Sequence, residues 1–253
     1  MKPRHELRYF VSPGQALRMR DFVREYLDFD EHSVGQPDYS YPVHTLHLDS
    51  DDWKIYWRAV RSDQDRWKLR LRYYSSHPDS PVFCEVKHQM TDAIVKYRGG
   101  VTHAAVNTLL GGCLPEARHF VTKNPATAQA VQRFVTMLVE LNARPRLHLY
   151  CLREAYVSDD GNTRVTLDRG ICVEEISGEG GALLPTEMRN PVFCGSHMVI
   201  LELRFAERFP DWYREMARVF NLGETLPWSG GHGRIACGGL QLTPGELIHN
   251  IVL

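Results

Sequence analysis

The chain has no long apolar run, no CxxC pair, no internal repeat and no excess of charge of either sign, and each absence excludes a class of protein. A membrane-spanning helix needs about 18 or more predominantly apolar residues in a row. The best stretch here, Val135-Thr136-Met137-Leu138-Val139, stops at Glu140. The opening Met1-Lys2-Pro3-Arg4-His5-Glu6 lacks the apolar block of a secretory signal. The six cysteines, at 84, 113, 151, 172, 194 and 237, are scattered, which predicts reduced thiols and a cytoplasmic location. Lys and Arg number 30 against 31 Asp and Glu, a net charge of -1, which argues against a bulk nucleic-acid surface.

What is present is ordinary globular material. The 253 residues are 43% hydrophobic and 24% charged, enough for a sizeable core and too apolar for a disordered chain. Strand character dominates, at 4–11, 42–49, 66–74, 82–89, 93–98, 145–157, 163–169 and 197–206. Ser12-Pro13-Gly14-Gln15 reads as a helix start with a capping box, and apolar residues at spacings of three and four extend that helix over 13–27. Gly99-Gly100 and Gly111-Gly112 bracket a short helical piece. Asn124-Pro125 starts a longer helix, and Pro210 another at about 210–221. No linker is long enough to demand two domains, so one domain over 1–253 with a helical insert at about 99–142 is expected.

The chemistry lies in charges that alternate along strands. Successive side chains of a strand point to opposite faces, so Lys68, Arg70 and Arg72 share one face while Trp67, Leu69, Leu71 and Tyr73 share the other. Glu6 and Arg8, Glu85 and Lys87, and Glu202 and Arg204 are paired in the same way, from opposite ends of the chain. Lys96, Arg153 and Arg164 add single cations. For any one strand a solvated face explains this best. The repetition points instead to charges turned into a polar lumen, with apolar residues turned outward under covering helices. That set holds nine cations against three glutamates and carries +6, leaving -7 for the rest of the chain. Nine confined cations repel one another and call for a polyanion. Guanidinium forks and ammonium groups match phosphate oxygens, and glutamates are hard ligands for Mg²⁺ or Mn²⁺.

Taken in order, Glu6-x-Arg8, Lys68-x-Arg70-x-Arg72, Glu85-x-Lys87, Lys96, Tyr150-x-x-Arg153-x-x-Tyr156, Arg164-x-Thr166-x-Asp168 and Glu202-x-Arg204 resemble the VTC (vacuolar transporter chaperone) domain. That domain is the polyphosphate-polymerase branch of the CYTH-like triphosphate tunnel metalloenzymes. The resemblance runs from about residue 4 to 240. It implies an α+β fold built on an eight-stranded antiparallel β-barrel with helices packed outside. It further implies an enzyme that transfers the γ-phosphate of ATP to a polyphosphate chain in the basic tunnel. By the same resemblance Arg8, Lys68, Arg70, Arg72, Lys87, Lys96, Arg153, Arg164, Arg204 and Arg234 bind substrate. Arg70, Arg72, Lys87, Arg153 and Glu202 are the catalytic set. Glu202 is the principal metal ligand, with Glu6 and Glu85 as helpers for Mn²⁺ or Mg²⁺.

Two departures stand out. Arg8 replaces the usual lysine. A late Ser-Lys-Tyr motif gives way to Ser229-Gly230-Gly231-His232-Gly233-Arg234, where Arg234 stands in for the lysine. The second departure bears on chain elongation more than on triphosphate binding. A tunnel triphosphatase and a non-catalytic polyphosphate-binding module therefore remain as alternatives. Coupled translocation would need a separately encoded membrane partner.

Other signals read as structural. His44 and His47, three apart on a strand, face opposite ways and make a poor metal pair. Asp49, Asp51 and Asp52 suit a helix N-terminus. Trp53-x-x-Tyr56-Trp57 suits a short helix packed on the core. The glycines at 230–239 lack the GxxxxGK[ST] pattern of a phosphate loop.

Overall fold

A computed structural model of the chain describes residues 4–61, 65–90, 94–176, 184–194, 198–206, 208–222, 235–237 and 240–242. Arg234 and the rest of the 229–234 segment lie outside the described residues. The elements, in chain order, are β1 (Arg4–Val11), α1 (Pro13–Val23), β2 (Asp28–Phe29), β3 (Ser40–Asp49), α2 (Lys54–Val60), β4 (Arg66–Tyr73), β5 (Val82–Gln89) and β6 (Ile94–Val101). There follow α3 (Val106–Leu110), α4 (Pro125–Glu140), β7 (Arg144–Val157), β8 (Thr163–Glu175), β9 (Val192–Phe193), β10 (Val199–Ala206), α5 (Asp211–Val219), β11 (Ile235–Cys237) and β12 (Leu240–Leu242). The main sheet pairs its strands in the order β1-β10-β8-β7-β3-β4-β5-β6, with antiparallel register at β1–β10, β10–β8, β3–β4, β4–β5 and β5–β6. This eight-strand path with five α-helices is the expected α+β class.

Contacts group into two compact units, through both of which β7 and β8 run. One comprises Met1–Pro42, Cys151–Ile171 and Phe193–Gly233. Its sheet turns Val11, Val165, Leu167, Leu201, Leu203 and Phe205 to one side, where Ala16, Met19 and Val23 of α1 and Tyr213 and Met216 of α5 cover them. The predicted capping box starts α1. Ser12 Oγ accepts from the Gln15 N–H at 3.2 Å, and Gln15 Oε1 accepts from the Ser12 N–H at 3.0 Å. The helix ends at Val23, short of the expected residue 27, and after a turn the chain enters β2, where Asp28 and Phe29 pair with Val157 and Tyr156. Beneath α1 lies the fully buried carboxylate of Glu154, held by a bidentate Arg20 (2.7 and 2.8 Å), by Arg169 and by the Tyr156 hydroxyl. It ties the helix to the sheet.

The other unit comprises Val43–Tyr150, Cys172–Val192 and Arg234–Leu253. Leu46, Leu48, Leu69, Leu71, Cys84 and Val86 form its apolar sheet face, covered by Val131, Phe134, Val135 and Leu138 of α4. Asn124 caps α4, its Oδ1 accepting from the Thr127 N–H at 2.7 Å. Gly99 and Gly100 lie inside β6 and do not mark a helix boundary as the sequence suggested. A Cβ on Gly99 would sit 2.9 Å from both the Thr127 carbonyl oxygen and Val131 Cγ2, so glycine here is what lets α4 approach the strand. Asp49 accepts from the N–H groups of Ile55 and Tyr56, both at 2.9 Å, which bears out the helix-terminus reading for Asp49, while Asp51 pairs with Arg144 and Arg146 of β7. Among the described residues, Cys84, Cys113, Cys151, Cys172 and Cys194 form no disulfide.

Candidate functional site

In the first unit, two Glu-x-Arg motifs run antiparallel on neighbouring strands. Register sets Arg8 opposite Glu202 and Glu6 opposite Arg204, a checkerboard in which each carboxylate meets arginines across and along the strands. Arg8 Nε donates to Glu202 Oε2 at 2.7 Å, and Arg8 Nη2 to Glu6 Oε2 at 3.0 Å. Arg204 Nε lies 2.5 Å from Glu202 Oε1 and 3.3 Å from Glu6 Oε1. Thr166 and Arg164 of β8 continue the two rows. Arg153 makes a bidentate pair with Asp168 (2.7 and 2.6 Å), and Arg164 pairs with Asp30 at 2.7 Å.

The structure thus brings Glu6, Arg8, Arg153, Arg164, Glu202 and Arg204 into one cluster. It also supplies two carboxylates absent from the predicted site set, Asp168 and Asp30. Those eight side chains sum to zero charge, so the excess of cations anticipated from sequence does not reside here. Burial alone would push the Glu202 carboxyl up, but Arg204, Arg8 and Arg153 outweigh it and hold the group well below the usual carboxylate range. Glu202 is 6% exposed, and its Oε1, despite the close Arg204, receives no hydrogen bond of sound geometry.

In the second unit the charged face of β3–β6 is arranged in rows. Lys68, Lys87 and Lys96 stand directly opposite one another across β4, β5 and β6. The next row is His47, Arg70, Glu85 and Arg98, and the one after it runs from Thr45 through Arg72 and Phe83 to Gly100. By strand parity Arg66 belongs to the same face. Among the described residues, seven cations therefore accompany one carboxylate on this face. Glu85, 2% exposed, accepts from Arg70 Nε at 2.6 Å, with Arg72 Nη2 at 3.8 Å and Arg98 Nε at 3.3 Å. Burial disfavours its charge, yet Arg72, Arg70, Arg98 and Lys96 keep it well below the ordinary carboxylate range. It fixes the guanidiniums, and among the described residues the face holds more cations than carboxylates. Like charges directly opposite on neighbouring strands are destabilising, so a lysine row three strands wide is a costly arrangement for a face with no anion to meet.

Sequence reasoning missed Arg98, Arg66, Asp168 and Asp30 as site residues. Arg98 and Arg66 each lie two residues from a cation already singled out, so the period-2 pattern could have found them. Asp168 sat unassigned in a quoted motif. Asp30 comes from a loop, where no periodicity exists to find it.

One face is thus self-neutralised around two glutamates, and the other, among the described residues, carries an excess of cations. The chain belongs to the VTC domain family, whose pattern matches residues 3–225. Among solved structures it is similar to a Bacillus halodurans protein provisionally described as an adenylate cyclase. The match has 11% identity and a TM-score of 0.49, and covers 90% of this chain and 95% of that one. No curated protein matches the chain. Among the described residues, no helix is long and apolar enough to cross a membrane, and no group of three or more His, Cys, Asp or Glu side chains forms a ready metal cage.

Proposed function

We propose that the chain is a metal-dependent phosphotransferase of the polyphosphate-polymerase type, moving the γ-phosphate of ATP onto a polyphosphate chain. The single observation that carries this reading is the Lys68–Lys87–Lys96 row beside Arg70 and Arg72, a surface whose charge asks for successive phosphates. Glu202, with Glu6 beside it, would hold Mn²⁺ or Mg²⁺. Such ions bind through one or two carboxylates plus substrate phosphates, which fits a pair of glutamates better than a closed cage. The Glu202 Oε1 that lacks a hydrogen bond fits the same role. The ion would neutralise phosphate charge.

The chain's own residues do the rest. Lys68, Lys87, Lys96, Arg70 and Arg72 bind non-bridging oxygens, and Glu85 orients the guanidiniums. In the first cluster Arg8 and Arg204 keep Glu202 ionised, and Arg153 and Arg164, held by Asp168 and Asp30, are further hydrogen-bond donors to phosphate oxygens. No side chain is needed as a nucleophile, because the terminal oxygen of the acceptor chain attacks the γ-phosphorus in line while ADP leaves. Catalysis is then positioning and charge stabilisation.

The test is to incubate purified protein with ATP and Mn²⁺ or Mg²⁺ and to resolve the products on gels. A ladder of polyphosphate supports the proposal. Phosphate release without chain growth would establish the triphosphatase reading, which the altered late motif at 229–234 favours. Tight polyphosphate binding with no turnover would leave a binding module.

A further inference from the structure

One polar side chain on the cationic face has no part in that reading. His47 is register-paired with Arg70, so the two project to the same side of the sheet. It also lines, with Lys68, a recess that includes Asp49, Trp53 and Arg146. Among the described residues neither ring nitrogen of His47 makes a hydrogen bond. A half-buried imidazole without a partner, set among fixed cations, is poorly satisfied in the absence of an anion. The charged groups that bear on it are Arg70, Lys68 and Arg72 of β4, Glu85 of β5, and Asp49 and Arg146 around the recess. Burial, then Arg70, Lys68 and Arg72, hold the His47 imidazolium well below its ordinary range, with Glu85 working weakly the other way. At neutral pH the ring is therefore uncharged and adds no further repulsion to a face already crowded with cations.

We propose that His47 is a phosphate-binding residue of this face, taking up one proton from solvent as a polyphosphate anion settles on Lys68, Arg70 and Arg72, and then donating an N–H to a phosphate oxygen. The incoming phosphates reverse the local potential, so the field that kept the ring neutral disappears when the ligand arrives. Binding and proton uptake are then linked, and each favours the other. The inference rests on the reading of the β3–β6 face as a polyanion grip and adds a residue and a pH dependence to it.

Calorimetric titration with inorganic tripolyphosphate, near neutral pH in buffers of differing ionisation heat, measures the protons taken up on binding. Protonation of the ligand itself is common to all proteins compared. Wild type should take up more protons than His47→Gln, by as much as one. The variant should bind several-fold more weakly at pH 6, with the gap closing by pH 8. Equal uptake by two proteins that both bind tripolyphosphate would overturn the role of His47 and leave the grip intact. Failure of wild type to bind at all would overturn the grip itself. Should the variant fail to fold, imidazole NMR of wild type decides: the His47 titration must move upward when tripolyphosphate is added, and an unmoved titration rejects the proposal.

Discussion

At the scale of single residues, the two buried glutamates have similar surroundings and different uses. Glu85 is enclosed by three arginines that it orients. Glu202 shares two arginines with Glu6 and keeps an oxygen without a hydrogen bond. Replacing Glu202 by Gln keeps shape but removes the charge, so it should lower turnover to below about 1% of wild type. Tripolyphosphate binding should persist. Comparing product formation with calorimetric binding checks both halves, and an active variant would remove Glu202 from the metal site. Lys87→Ala deletes the middle of the lysine row. A charged hydrogen bond contributes roughly 1.5–3 kcal/mol, so tripolyphosphate should bind on the order of 10-fold or more weakly. The affinity should also fall less steeply with added salt, since one ionic contact is gone. An unchanged salt dependence would show that Lys87 does not touch the ligand.

At the scale of elements, the question is how helices are seated on strands. α4 approaches β6 at Gly99, where a Cβ would press within 2.9 Å of the Thr127 carbonyl oxygen and Val131. Gly99→Ala forces a shift of helix or strand and should cost about 1–3 kcal/mol, read as a lower denaturant midpoint with an unchanged slope. Gly100→Ala, whose Cβ would meet only the side chains of Val121 and Phe83 at 3.1 and 3.3 Å, should cost less. If the two substitutions were equally mild, close approach at Gly99 would not be what seats α4. The sequence misread this pair as helix punctuation because glycine signals a turn and a close approach in the same way. By contrast, the capping box of α1 and the N-cap of α4 were visible in it, since a cap is made within a span of four residues.

At the scale of the whole molecule, folding itself is linked to pH through a buried histidine pair. His44 Nδ1 lies 3.1 Å from His148 Nε2, both rings are buried, and His44 stacks on Tyr73. Burial, joined at His148 by the charge of His44, lowers both to about 4. Unfolded histidines titrate near 6.5, so between roughly pH 4 and 6.5 the unfolded chain holds more protons than the folded one. Stability should rise with pH across that window and level off above it. The depressed Glu85 and Glu202 act in a lower range. Their contribution is in place above roughly pH 4.3, the unfolded value, and is lost as the pH falls further. Thermal unfolding followed from pH 3.5 to 8 checks both. A melting temperature that is flat between 4.5 and 6.5 would show that the pair is not buried neutral in solution.

The faces of the strands were legible before any folding was known. Alternation has a period of two residues, so Lys68, Arg70, Arg72, Glu85, Lys87, Glu202 and Arg204 declared their sides locally, and the helices that cover the opposite faces declared theirs by spacing. Pairing is different in kind. Which residue stands across from which depends on register between segments as distant as β1 and β10. Only the folded chain therefore turns two Glu-x-Arg motifs into a neutral checkerboard, brings Asp30 from a loop onto Arg164, and lines three lysines up in one row. The same limit explains His47. Along its own strand it is a histidine three residues from another, readable only as half of a poor metal pair, and its surroundings are set by a neighbouring strand with its own alternating cations.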